Sequence, residues 1–186
     1  MKPAPIIVAL STAAYVAAAL VTGNPVGIPA LAFLVAGLAG VLLIARRERK
    51  ARRWIVVDGS NVMHWKDNTP DLASVKAVVA GLRRRGYTPG VVFDANAGYK
   101  LAGHYQDDAV LARLLGLPEE RVLVVPKGTP ADPFILATAR DLDAPIVTND
   151  RYRDWLETYP EAARPGRLVG GGWRDGRLRL DLAESG

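Results

Sequence analysis

The chain has 186 residues, with 24 Lys/Arg against 19 Asp/Glu, a formal net charge of +5, and no cysteine. Zero cysteines exclude disulfides and thiolate metal sites, which fits a reducing compartment. The positive balance is uneven: seven basic residues and one acidic lie in residues 1–53, leaving 17 basic and 18 acidic in 54–186, so it carries no nucleic-acid inference by itself.

From Pro3 to Ile44 there is no Asp, Glu, Lys or Arg, and Gly23-Asn24-Pro25 interrupts the stretch near its middle. Each half is about 20 residues, the length a helix needs to cross a bilayer core. Neither half has the charged face that a soluble helix pair would carry. A transmembrane helical hairpin over residues 1–45 is therefore predicted. A signal peptide is the competing reading, since Lys2 precedes an apolar run, but that run is long for a signal core and a second follows at once. Arg46 to Arg53 then carries six basic residues against one acidic. This juxtamembrane linker, residues 46–53, should stay cytoplasmic and attract anionic headgroups. Two spans return the N-terminus to the same side, which predicts a multi-pass cell-membrane protein with its C-terminal domain in the cytoplasm.

Residues 54–186 suffice for one domain. They alternate strand and helix patterns: a strand at 54–57, a helix near 71–85, a strand at 90–93, a helix near 105–115, a strand at 121–125, a helix near 132–142 and a strand at 145–148. A short helix should begin near Arg151. The short Val- and Ile-rich runs read as strands buried on both faces, as a parallel sheet covered by helices requires. Leu168 to Trp173 and Leu178 to Leu182 flank Asp175-Gly176, a hairpin turn signal.

Three of these apolar runs deliver an acid at or beyond their ends: Trp54-Ile55-Val56-Val57 leads to Asp58, Val122-Leu123-Val124-Val125 to Asp132, and Ile146-Val147-Thr148-Asn149 to Asp150. In an open parallel sheet the carboxyl ends of the strands form one rim where ligands bind. Converging carboxylates repel one another unless a cation sits among them, and an oxygen-only set suits Mg²⁺ or Mn²⁺ rather than zinc. Asp58 precedes Gly59, so the chain turns sharply there and should expose its carboxylate. Asn61 can position Asp58 or a bound water, or cap a turn. Asp132 before Pro133 reads as a helix N-cap that also faces the rim. Asp154, four residues after Asp150, should stack on it one helical turn later. Asp94 is a weaker strand-end candidate. Lys127, Arg151, Arg153 and Lys100 are candidate phosphate contacts, and Tyr99 is a candidate base-stacking ring. His64 and His104 are too few and too far apart to define a metal site.

Val57-Asp58-Gly59-Ser60-Asn61-Val62, followed by Asp132-Pro133-Phe134-Ile135-Leu136 and Thr148-Asn149-Asp150-Arg151-Tyr152-Arg153-Asp154, resembles the NYN domain of the PIN-like nuclease superfamily, closest to its Regnase-type endoribonucleases. The resemblance covers about residues 54–160. It implies an α/β, PIN-like Rossmannoid three-layer sandwich with a mainly parallel sheet, and cleavage of single-stranded RNA with Mg²⁺ or Mn²⁺ held by acids. By motif position those acids fall on Asp58, Asp132, Asp150 and Asp154, with Asn61 as companion of the first. The chain departs from the family's pattern at Ala131, where a second aspartate often precedes the one at Asp132. Without cysteine, substrate selection through the zinc finger of the animal proteins is not expected.

A haloacid-dehalogenase-type phosphatase would need a second Asp where Ser60 stands, and dinucleotide binding would need a glycine-rich turn where Asp58-Gly59-Ser60-Asn61 supplies one glycine. The expectation is a membrane-anchored, divalent-metal-dependent endoribonuclease; the alternative is a catalytically degenerate, membrane-tethered RNA-binding or scaffold domain. Its expected partners are single-stranded RNA and a lipid bilayer through residues 3–44, and a homodimer is left open.

Overall fold

The structure, a computed structural model, describes residues 35, 37–45 and 52–182. The chain divides into two units, Met1–Arg52 and Arg53–Gly186. In the first, residues 35 and 37–45 are helical and expose Val35, Leu38, Leu42 and Leu43. Among the described residues no helix is long and apolar enough to cross a membrane. Apart from this short helical stretch, the predicted hairpin over 3–44 lies outside the described residues.

In the second unit β1 (Arg53–Asp58) is the middle strand of a five-stranded, wholly parallel sheet. β2 (Tyr87–Phe93) and β4 (Ile146–Val147) flank it, with β3 (Val122–Val124) beyond β2 and β5 (Leu168–Val169) beyond β4. Alternation along the strands sends side chains into two cores. Ile55, Val57, Val91 and Phe93 pack on one face beneath α2 (Leu72–Arg84), while Val56, Val92 and Ile146 pack on the other beneath α5 (Asp132–Asp141). Burying each such side chain contributes about 1.5–3 kcal/mol. The β1–β4 boundary is where the connections change face, the position at which open parallel sheets bind ligands.

Elsewhere the chain departs from the sequence expectations. Residues 59–62 form a one-turn helix, α1 (Gly59–Val62), and the loop expected after β2 contains α3 (Ala97–Ala102). The next helix, α4 (Asp108–Leu115), starts later than the periodicity predicts. Asp107 caps it by accepting from the Val110 amide at 2.9 Å, while Asp108 accepts from the Val124 amide and ties the helix to β3. Leu168-Val169 joins the main sheet instead of the hairpin, because its two residues pair with β4. The hairpin itself is β6 (Gly171–Arg174) with β7 (Arg177–Leu180), turning through Asp175 at φ 51° and Gly176 at φ 69°. Positive φ at both central residues matches the right-handed strand twist.

Candidate active site

Asp58 ends β1 and is buried, not displayed: only 6% of it is exposed. The chain turns there into α1, and Gly59 lies against the Phe93 ring, which a Cβ would meet at 2.5–2.8 Å, so glycine suits the position. The carboxylate accepts three hydrogen bonds. The Asn61 amide donates to Oδ1 at 3.0 Å, and Thr148 Oγ1 and Tyr152 Oη donate to Oδ2 at 3.0 and 3.1 Å. Burial pushes its pKa from 3.8 up to about 6, the three hydrogen bonds oppose that rise, and the Asp132 charge adds to it.

Asp132 is the first residue of α5 but does not cap it. Ala131 occupies the cap position, and Asp132 Oδ2 instead accepts from the Trp155 indole at 3.1 Å. Burial raises its pKa, the indole hydrogen bond lowers it, and the charges of Asp150, Asp94 and Asp154 raise it again. Asp94, Asp150 and Asp154 thus lie near enough to Asp132 for their charges to act on it.

Asp150 and Asp154 do not stack on an α-helix. Tyr152 between them is left-handed at φ 48°, and Asp154 lies in a 3₁₀ turn, Arg153–Trp155. Asp150 Oδ1 accepts from the Tyr152 amide at 2.7 Å, which shapes that turn. A left-handed non-glycine residue costs of order 1–3 kcal/mol. Burial of the Tyr152 ring, 2% exposed, and its bond to Asp58 offset that cost.

Asn61 has its side-chain oxygen committed to two donors, the Trp65 indole at 2.8 Å and the Asn149 amide at 3.0 Å. Asn149 in turn grips Gly171 of β6 from both sides, donating to its carbonyl at 2.9 Å and accepting from its amide at 3.0 Å. A Cβ on Gly171 would meet the Trp65 ring at 2.7 Å, so glycine is what lets the hairpin close onto this network. Thr148, Asn149, Tyr152 and Trp155 were not singled out from the sequence. Thr148, Asn149 and Tyr152 lie inside the motif Thr148 to Asp154 and Trp155 follows it, but beyond that their sign is position: two polar residues closing a buried strand, and aromatic rings among charged neighbours.

Lys127, Arg151, Arg153, Tyr99 and Lys100 are exposed around the strand ends. The ion pairs among the described residues, Arg140–Asp141 and Arg167–Asp143, stand elsewhere, so no basic side chain among them neutralises Asp58, Asp94, Asp132, Asp150 or Asp154. Also among the described residues, no three His, Asp or Glu side chains are placed to grip one ion together. An oxygen-only set with unrelieved mutual repulsion fits Mg²⁺, which keeps much of its water shell and needs only one or two carboxylates.

A family model described as Zc3h12a-like Ribonuclease NYN domain matches residues 51–174. Two solved structures from Arabidopsis thaliana are similar in fold. Nuclear proteinaceous RNase P 2 matches at 20% identity and TM-score 0.53, covering 69% of this chain and 29% of that one. A second structure, nuclear protein-only RNase P 2, matches at 18% identity and TM-score 0.51, covering 80% and 35%. The chain thus spans 29–35% of the length of these proteins, and at such identities the likeness is one of fold. No curated protein sequence matches.

Proposed function

Because the chain belongs to the Zc3h12a-like ribonuclease NYN domain family, we propose that it is a divalent-metal-dependent endoribonuclease of single-stranded RNA, anchored in a membrane through residues 3–44. One arrangement carries the catalytic part: Asp94, Asp132, Asp150 and Asp154 lie at the strand-end rim with no ion pair to a basic side chain among the described residues, and burial first, then the charges of the other three, raise the Asp132 pKa. Uncompensated anions at a ligand-binding edge call for a cation.

Asp132, Asp150 and Asp154 would hold Mg²⁺ or Mn²⁺, directly or through water, with Asp94 adding to the field. When bound, such an ion lowers the pKa of water and stabilises charge on phosphoryl oxygens. Asp58, fixed by Asn61, Thr148 and Tyr152, adds charge from behind and can take up a proton near neutral pH. Asp154 would orient the attacking water, and Lys127, Arg151, Arg153 and Lys100 would bind phosphates. Tyr99 would stack a base.

The test is incubation of the full chain in detergent with end-labelled unpaired RNA, with Mg²⁺, Mn²⁺ or chelator. Internal cleavage that needs the ion and disappears in Asp132→Asn and Asp150→Asn is expected. The absence of a ready-made three-residue grip among the described residues favours one second reading, a degenerate RNA-binding module. RNA bound but uncut across divalent ions would decide for it.

The anchor rests on the uncharged stretch Pro3 to Ile44 and the basic block after it, supported by the exposed Val35, Leu38, Leu42 and Leu43. Reporter fusions after Lys50 and after Gly186 should both read cytoplasmic, and an external signal at either point removes the hairpin.

A further inference from the structure

We propose that the edge of the sheet where its strands begin is a docking surface for anionic lipid headgroups, which turns the carboxylate rim away from the bilayer; this rests on the anchored reading above. All five strands are parallel, so their starts share one edge and Asp58 and Asp150 belong to the other. At the starting edge Arg53 opens β1, Arg83, Arg84 and Arg85 close α2 just before β2, and Arg121 precedes β3. Arg53 and the three α2 arginines are exposed.

Two of these arginines sit over aromatic rings. The Arg53 guanidinium lies 4.4 Å from the Tyr87 ring centre, and that of Arg121 lies 5.8 Å from the Trp54 ring centre. Tyr and Trp beside basic side chains are the residues that favour the membrane–water interface. Arg83 and Arg85 each spend a donor on a helix-end carbonyl, Gly116 at 3.4 Å and Gly81 at 3.1 Å. A guanidinium has five donors, so on Arg83 and Arg85 most remain for phosphate.

Acids on the same edge bound the surface. Glu119 and Glu120 lie on the turn before β3, and Asp143 before β4 is taken by Arg167 at 2.9 Å. The positive area is therefore centred on β1 and β2, where the basic block Arg46 to Arg53 leads into the domain. RNA is also a polyanion, but RNA held here would lie at the opposite edge from the carboxylates. Each arginine near an anionic surface favours docking by about fivefold.

The chain has no native cysteine, so single cysteines can be labelled cleanly. Ala80→Cys, exposed one turn before Arg84, reports the starting edge, and Asn96→Cys, exposed after β2, reports the rim. Full chain carrying a fluorophore at either position is reconstituted into vesicles with a headgroup quencher, of phosphatidylglycerol or of phosphatidylcholine. The result expected is quenching at 80 at least several-fold above that at 96 in phosphatidylglycerol, lost in phosphatidylcholine and in R83Q/R84Q/R85Q. Equal quenching at both positions, or no dependence on lipid charge, overturns the docking. Flotation with phosphatidylcholine vesicles at high salt reads the anchor separately: a chain that fails to float loses both readings, one that floats with equal quenching loses only this one. If R83Q/R84Q/R85Q instead weakens RNA binding and leaves quenching unchanged, the edge is an RNA surface and the proposal is overturned.

Discussion

Tyr152 donates its hydroxyl to Asp58 Oδ2 at 3.1 Å, joining residues 94 apart in sequence across the β1–β4 boundary. The tyrosine is held as a donor because burial, and then the Asp58 charge, push its own pKa up. Tyr152→Phe keeps the ring and removes one of the bonds that favour ionised Asp58. The acid limb of the pH–rate profile should move to higher pH, and urea denaturation should show a loss of about 1–3 kcal/mol. An unshifted acid limb would remove Asp58 from the chemistry.

Asp58 also sets a pH dependence of stability. Its carboxyl binds a proton more tightly in the folded protein, with a pKa about 6 against 3.8. The stabilisation this gives is present in full below the lower value and is lost as pH rises through about 6, by ~3 kcal/mol. Asp58→Asn cannot titrate, so in chelator its stability relative to the parent should climb across that window. Parallel denaturation curves for the two proteins would contradict the burial argument. Activity should run the other way, absent in Asp58→Asn and rising in the parent as Asp58 ionises.

Restoring an aspartate at Ala131 should not help. Ala131 is 4% exposed and packs among Val125, Ile135 and Leu136 in the core beneath α5. A carboxyl there would be desolvated, and the helical backbone of this cap position (φ −76°, ψ −28°) is not the extended one from which an Asp accepts from the first-turn amides, so a cost of about 1–3 kcal/mol is expected. Ala131→Asp should lower the melting temperature with no gain in cleavage. A stable variant with faster metal-dependent cleavage would show that this backbone opens to admit a further ligand.

The strands were legible because parallel strands buried on both faces must be apolar runs, and Val56-Val57 and Val91-Val92 can hardly be anything else. Asp175-Gly176 marked its turn because only residues tolerant of positive φ fit there. Asp150 and Asp154 misled: their spacing fits a helical turn, but nothing in Arg151-Tyr152-Arg153 announces a left-handed tyrosine whose ring is drawn into the core. Asp132 misled for a related reason. Asp-Pro is a good helix start, but a tryptophan 23 residues later takes the carboxylate. Long-range partners of that kind leave no local pattern, which is why the acids could be read and the side chains that orient them could not.

Asn61 should act by acceptance alone, since its side-chain oxygen joins Trp65 to Asn149. Asn61→Ala leaves two donors unsatisfied and should cost about 1–3 kcal/mol. It should also speed hydrogen exchange at Gly171, which Asn149 holds. Asn61→Asp retains both acceptor positions and should recover most of that stability. Equal losses in the two variants would mean that size or charge, not acceptance, matters at this position.

Tyr99 and Tyr105 are 57% and 54% exposed, flanking the place where Gly98 packs against the Gln106 backbone. That close approach brings Tyr99 of α3 and Tyr105 of the following loop together in the segment after Asp94. Exposed rings offer flat stacking faces, and an unpaired base on an aromatic ring is worth about 1–3 kcal/mol. Tyr99→Ala should raise KM for single-stranded RNA by roughly 5- to 150-fold with kcat little changed, and Tyr99→Phe should keep the parent value. Duplex RNA, whose bases are already stacked, should be cut slowly by parent and variant alike. A Tyr99→Ala enzyme with unchanged KM and reduced kcat would place the ring in the chemistry or the fold rather than under a base.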